Sequence, residues 1–123
     1  MGPEEILGYA PRLLSQSQRE HYFTHGYVGV ESLVPKDTLA ELVAATEAFV
    51  DASRKEVAPG PVFDIGPGHS PDKPVLRRLK RPDEQHPAYW NFAKGLMADV
   101  AADLVGPNVV FHHSKLNFKW FDK

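Results

Sequence analysis

The sequence predicts an α+β fold, and three observations carry the prediction. Two runs, residues 39–50 and 89–105, place apolar side chains at helical spacing; a proline-dense stretch separates them; and the tail over residues 108–120 switches to a period of two. At 123 residues the chain is one domain's worth, 1–123, able to bury a single core amounting to about two-thirds of its unfolded surface. With 42% hydrophobic and 24% charged residues it has the composition of an ordinary globular protein rather than a disordered one.

The first element is a short helix. Ser15 and Gln18 have the spacing of a capping box, in which each side chain satisfies an amide N–H at the helix start, and Gly26 supplies the stop. Tyr27, Val28, Gly29 and Val30 then read as a short strand, because β-branched and aromatic side chains suit a pleated, half-buried surface. Pro35 and Asp37 open the first long helix, whose apolar face is Leu39, Leu42, Val43, Phe49 and Val50. Seven of the eleven prolines fall within residues 58–87. Proline fixes φ and removes a donor, so this stretch is mostly loop, with only residues 75–80 able to form a strand.

The second long helix has a wide apolar face made by Tyr89, Trp90, Phe92, Ala93, Leu96, Met97, Val100, Ala101, Leu104 and Val105, and Gly106-Pro107 ends it. Both long helices are expected to pack these faces on a sheet. In the tail strand, residues 108–120, one side carries Val110, His112, Ser114, Leu116, Phe118 and Trp120. The other carries Val109, Phe111, His113, Lys115, Asn117 and Lys119. The first side is mostly apolar and the second becomes polar toward its end.

Composition excludes several function classes. A formal charge of -2 gives no electrostatic case for nucleic acid or an anionic membrane as partner. The chain has no cysteine, hence no disulfide, thiolate metal site or cysteine nucleophile. The first residues, with Glu4 and Glu5, lack the basic start and apolar run of a signal peptide, and no apolar stretch approaches a membrane span, so a cytoplasmic protein is expected.

Five smaller constellations read as structural. His21 and His25 have the i, i+4 spacing that puts two imidazoles on one helical face, but the glutamate of the zincin motif is missing between them. They read as partly exposed residues near a helix C-terminus. His112 and His113 are adjacent and, on a strand, should face opposite sides. The basic run Arg77-Arg78-Leu79-Lys80-Arg81 is followed at once by Asp83 and Glu84, which marks a solvated strand end rather than a nucleic-acid patch. Tyr89, Trp90 and Phe92 read as core, and Gly66-Pro67-Gly68-His69 lacks the spacing of a phosphate-binding loop.

Taken in order, these segments resemble the phytanoyl-CoA dioxygenase family. The matching segments are residues 15–23, Gly26-Tyr27-Val28, residues 39–50, Leu76-Arg77-Arg78-Leu79, the second helix, Gly106-Pro107-Asn108, and the run from Phe111 to Lys119. No single segment is specific; their order is, and it spans residues 14–120. The resemblance implies the N-terminal helical layer and first strands of a double-stranded β-helix, a jelly-roll or cupin-like fold whose barrel is incomplete here. It implies a non-haem dioxygenase that uses Fe(II) and 2-oxoglutarate to hydroxylate a small organic substrate. By the same resemblance Lys119 is the contact to 2-oxoglutarate. From spacing alone Lys119 reads as a solvated strand lysine, or one that discourages edge pairing.

The family's iron ligands, a His-x-Asp pair and a later histidine, have no counterpart. The six histidines are followed two positions on by Phe23, Tyr27, Pro71, Ala88, Ser114 and Lys115. In the family the lysine leads into proline and glycine, whereas here the chain reads Trp120-Phe121-Asp122-Lys123. A truncated or frameshifted gene would produce that departure, and the chain alone is expected to be inactive. Two alternatives stand beside it: a small interaction module pairing an exposed sheet edge with another chain, and an enzyme half completed by a second polypeptide.

Overall fold

A computed structural model describes residues 1–120 of the chain; the departure at Phe121, Asp122 and Lys123 lies outside the described residues. The protein is α+β, with helices α1 (Pro3–Leu7), α2 (Gln16–His25), α3 (Lys36–Ser53), α4 (Pro82–Gln85), α5 (Pro87–Phe92) and α6 (Ala98–Val105). Strands β1 (Phe63–Ile65), β2 (Leu76–Lys80) and β3 (Lys115–Asn117) form one open antiparallel sheet in the order β1-β2-β3. Among the described residues no helix is long and apolar enough to cross a membrane. The chain divides into two compact units, residues 1–35 with 91–111 and residues 36–90 with 112–123.

The first unit holds α1, α2 and α6. The capping box of α2 is formed: Ser15 Oγ accepts from the Gln18 amide at 3.0 Å, and Gln18 Oε1 accepts from the Ser15 amide at 2.9 Å. Gly26 closes the helix at φ 82, ψ 4, a left-handed conformation that costs a residue with a Cβ about 1–2 kcal/mol. Beyond Gly26 the expected strand over Tyr27 to Val30 does not form, and Tyr27 is 65% exposed. Strand propensity without a partner strand leaves the backbone unpaired, so the segment stays irregular.

An ionic knot holds this unit together. Arg19, 1% exposed, donates from Nε to the Asp103 carbonyl at 2.9 Å, from Nη1 to the Tyr9 carbonyl at 3.0 Å and Gln16 Oε1 at 2.9 Å, and from Nη2 to the Ile6 carbonyl. The Asp103 carboxylate, on a residue 3% exposed, accepts amide N–H groups from Arg12, Leu13 and Leu14 at 2.8 to 2.9 Å. The two charges thus satisfy the loop between α1 and α2 and the orphan carbonyls around it, while Ile6, Leu14 and Ala102 supply the apolar core.

Burial pushes the Asp103 carboxyl upward, but the amides of Leu14, Arg12 and Leu13 and the charge of Arg19 outweigh it, so its pKa lies below the ordinary 3.8. A carboxyl depressed on folding contributes stability above its unfolded pKa, and that contribution is lost as pH falls through the folded value. Acid titration followed by far-UV circular dichroism is expected to show Asp103→Ala losing less stability than the parent chain between about pH 5 and pH 2. Identical acid limbs for the two chains would contradict this.

Residues 87–105 are helical as the apolar spacing predicts, but residues Ala93–Met97 form a π-helical turn around Gly95. A π turn inserts an extra residue and rotates the face beyond it. The consequence is that α6 buries Ala102 and Asp103, whereas Val105 is 55% exposed. This half of the second long helix packs on α1 and α2, where the sequence suggested a sheet.

The second unit packs α3 on β2. On α3 the expected apolar face is only partly covered: Leu42, Phe49 and Val50 are half-buried and Ala45 buried, while Leu39 is 51% and Val43 46% exposed. Phe49 is the centre of an aromatic group, 6.2 Å from Phe63, 6.3 Å from Tyr89 and 6.5 Å from His86 by ring centroids. Thr46 donates its only hydroxyl proton to the Leu42 carbonyl at 2.7 Å, so the Tyr89 hydroxyl is the donor in the 2.7 Å contact with Thr46 Oγ1.

In the sheet, β2 forms where residues 75–80 predict it. Its register against β1 pairs Phe63 with Leu79, Asp64 with Arg78 and Ile65 with Leu76, leaving Arg77 as an extra residue. That bulge resets the alternation, so Leu76 and Leu79 both point inward and are 0% exposed. Each buries apolar surface worth roughly 1.5–3 kcal/mol. Strand β1 was hidden in the proline-dense stretch; its signal is the apolar-polar-apolar triplet Phe63-Asp64-Ile65 ahead of Gly66. The tail strand is shorter than the period-two pattern over residues 108–120, with ladder pairing only at Lys115–Asn117 and one further bond from the Phe118 amide to the Arg77 carbonyl at 3.0 Å. Pairing starts opposite Lys80, the last residue of β2, and gives out after Arg78 at the Arg77 bulge, before reaching Leu76 at the other end of β2.

Candidate functional site

The period-two reading of the tail holds in its side chains from Ser114 onward and fails before it, where Val110, expected on the covered side, is 90% exposed. Ser114, Leu116, Phe118 and Trp120 are half-buried, and Lys115, Asn117 and Lys119 are exposed. On the covered side, Trp120 Nε1 donates to the Leu76 carbonyl at 2.9 Å, and the Phe118 and Trp120 rings stack at 6.2 Å with an interplanar angle of 14°. These two contacts flank Lys119 in sequence and hold its backbone, so that its side chain stands on the opposite, open side of the strand.

Lys119 shares that side with a basic set built by sheet register. Arg78 lies opposite Asn117 and Lys80 opposite Lys115. Arg78 Nε donates to Asn117 Oδ1 at 3.1 Å, and Lys80 Nζ turns away to the Gly60 carbonyl at 2.9 Å, which relieves the like-charge pairing with Lys115. The face therefore offers ammonium groups able to receive a carboxylate, the chemistry that a 2-oxoglutarate contact requires.

Iron is a different matter. Among the described residues no group of three or more His, Cys, Asp or Glu side chains converges on a point where a metal ion would sit. The described residues do not fit the facial triad that the resemblance implies.

The histidines have other employment. Val75 donates its amide to His69 Nδ1 at 2.8 Å, which makes Nε2 the protonated nitrogen that donates to the Ser53 carbonyl at 2.8 Å. His69 thereby ties the β1-β2 connection to the end of α3, a role that no feature of Gly66-Pro67-Gly68-His69 announced. His86 Nδ1 accepts from the Ala88 amide at 3.0 Å at the start of α5. His112 and His113 do not take opposite faces: both lie outside the ladder, both are exposed, and their Nδ1 atoms meet at 2.5 Å. Alternation applies to extended, paired backbone, and here there is none. His21 and His25 do share one face of α2, with ring centroids 4.4 Å apart.

The basic run over Arg77 to Arg81 is answered locally. Arg77 pairs with Asp64 at 3.1 Å, Arg81 with Glu84 at 3.1 Å, and Arg78 and Lys80 make the bonds given above. Of the aromatic group, Tyr89 and Phe92 are half-buried and Trp90 is 39% exposed. No protein-family model, curated protein or solved structure matches the chain.

Proposed function

We propose that this chain forms the N-terminal helical layer and first core strands of a double-stranded β-helix of the phytanoyl-CoA dioxygenase type. In this reading Lys119 receives a carboxylate of 2-oxoglutarate, and the iron ligands belong to strands that follow. The observation that carries it is the placement of Lys119 on the open face of the tail strand, at the free edge of an antiparallel sheet. The order of segments along the chain supports the same reading. Among the described residues no group of three or more His, Cys, Asp or Glu side chains could hold iron, and the chain alone is expected to release no succinate from 2-oxoglutarate when supplied with Fe(II).

The test is the coding sequence beyond the codon for Lys123, read in three frames. A His-x-Asp pair, a distal histidine and an arginine are expected in one of them, and their absence from all three sinks the reading. In a chain extended through that sequence, Lys119→Met is expected to raise the KM for 2-oxoglutarate about tenfold or more, the worth of one charge-assisted hydrogen bond. Lys115→Met, on the same face, should change it less than about twofold.

A second reading, a non-catalytic interaction module that adds a partner strand beside β3, is favoured by the free edge of that strand. It takes precedence if the 123-residue chain unfolds cooperatively as a monodisperse species and the coding sequence holds no iron motif.

A further inference from the structure

We propose that the last turn of α2 and the turn that follows it form a two-histidine site for a borderline divalent transition-metal ion of the Zn2+, Ni2+ and Cu2+ class, with His21 and His25 as ligands through Nε2. The starting point is helix geometry. Residues four apart lie one above the other on a helix face, and here the two imidazole centroids are 4.4 Å apart with ring planes 42° from one another. That separation lets one ion be reached by both rings at Zn–N distances of about 2.0–2.1 Å.

The hydrogen bonds choose the ligating nitrogen. Gly26, left-handed at φ 82, turns the chain back on the helix and brings the Tyr27 carbonyl to 3.0 Å from His21 Nδ1. A carbonyl oxygen only accepts, so Nδ1 carries the proton and Nε2 is left with its lone pair. A backbone carbonyl on the far nitrogen is the usual outer support of a metal-bound histidine, fixing tautomer and ring orientation together. The Tyr27 ring adds to this, standing edge-on to His21 at 5.2 Å and 86°. His25 is exposed, and among the described residues neither of its ring nitrogens has a hydrogen-bond partner.

Charge and space agree with a cation here. The site sits at the C-terminal end of a ten-residue helix, where the macrodipole leaves partial negative charge. Beside His21 lies an open hollow of about 330 Å³, lined by Ser17, Gln18, His21, Tyr27, Val28 and Gly29, which leaves that flank of the ring open to solvent. Imidazole donors select against Ca2+ and Mg2+, and Cu2+ should bind most tightly of the divalent series. With Tyr22, Phe23 and Thr24 between the ligands there is no carboxylate to act as base, so the site binds a metal without hydrolytic chemistry.

The experiment is a titration of the full chain with Zn2+ alone, at about pH 7.5, followed by NMR of the six histidine side chains. The metal-free chain is expected to show His21 as the Nδ1–H tautomer. Zn2+ should shift His21 and His25 together to saturation, and Cu2+ should compete at lower concentration. His25→Ala should weaken the apparent affinity roughly tenfold or more, since even outer-shell partners of a ligand are worth about 10- to 100-fold. His112→Ala should leave it within about twofold, and the amide spectrum shows whether each variant keeps the fold. Shifts confined to His112 and His113, an Nε2–H tautomer at His21, or unchanged affinity in His25→Ala would each overturn the proposal.

Discussion

Replacing Asp103 with alanine is expected to destabilise the first unit by about 3–5 kcal/mol, the loss that follows when one member of a buried, hydrogen-bonded charge set is removed. Three backbone amides, those of Arg12, Leu13 and Leu14, lose their acceptor, and Leu14, 2% exposed, has no water to turn to. Arg19 keeps its bonds to the carbonyls of Ile6, Tyr9 and residue 103, yet its charge is left in a buried position without the opposite charge. Native domains are stable by roughly 5–15 kcal/mol, so the variant sits near the limit of folding. Asp99→Ala provides the contrast: Asp99 pairs with Arg12 at 3.1 Å, but the two side chains are 41% and 48% exposed. An exposed pair of this kind is worth at most about 1 kcal/mol. Urea denaturation of the two variants decides the matter, and equal losses would show that the Asp103 knot is no more than surface electrostatics.

Leu79→Ala should cost about 2–5 kcal/mol in the second unit. Leu79 is 0% exposed at the centre of the middle strand, paired with Phe63 on one side and Leu116 on the other. Truncation leaves a void that strands fixed on both flanks cannot close, so the cavity contribution adds to the lost transfer energy. Because β1 and β3 both rest on β2, amide exchange should accelerate throughout residues 63–65 and 115–117 as well as at the mutated strand. Leu39→Ala, at a position 51% exposed, should change stability by about 0.5 kcal/mol or less. A Leu79→Ala loss no larger than that of Leu39→Ala would mean the sheet is not the core of its unit.

What could be read from the sequence was local. Ser15, Gln18 and Gly26 bound a helix because a capping box and a left-handed stop depend only on neighbours a few positions away. The parity of the tail was legible for the same reason: Leu116, Phe118 and Trp120 turn inward and Lys119 outward. What failed depended on distant partners. Tyr27 to Val30 have strand propensity and no strand to pair with, while Phe63 to Ile65, among prolines, are drawn into the sheet by β2. The burial of Arg19 and Asp103 ran against the usual exposure of charged residues and is explained by carbonyls and amides that the fold brings to them, from 10 positions away for the Tyr9 carbonyl to 91 for the Arg12 amide. For the candidate site, the exposed placement of Lys119 was legible, whereas its basic neighbours Arg78 and Lys80 arrive through sheet register, which the sequence does not specify.

The hydrogen bond between Arg12 and Asp103 spans 91 positions, and the contact between Arg78 and Asn117 spans 39. Each unit is therefore assembled from two separate pieces of chain, and the pieces interleave: the second unit begins and nearly finishes between the two halves of the first. On the ribosome the first unit cannot be completed until residues 91–111 have emerged, nor the second until the segment from residue 112 follows, so α1 and α2 must wait while the intervening residues 36–90 are made, with Leu14 and the Arg19 partners exposed. Closing loops of this length before the rewarding contacts form slows folding. It also means that no single cut of this chain leaves both units whole: a cut after residue 111 spares only the first, and a cut after residue 35 only the second.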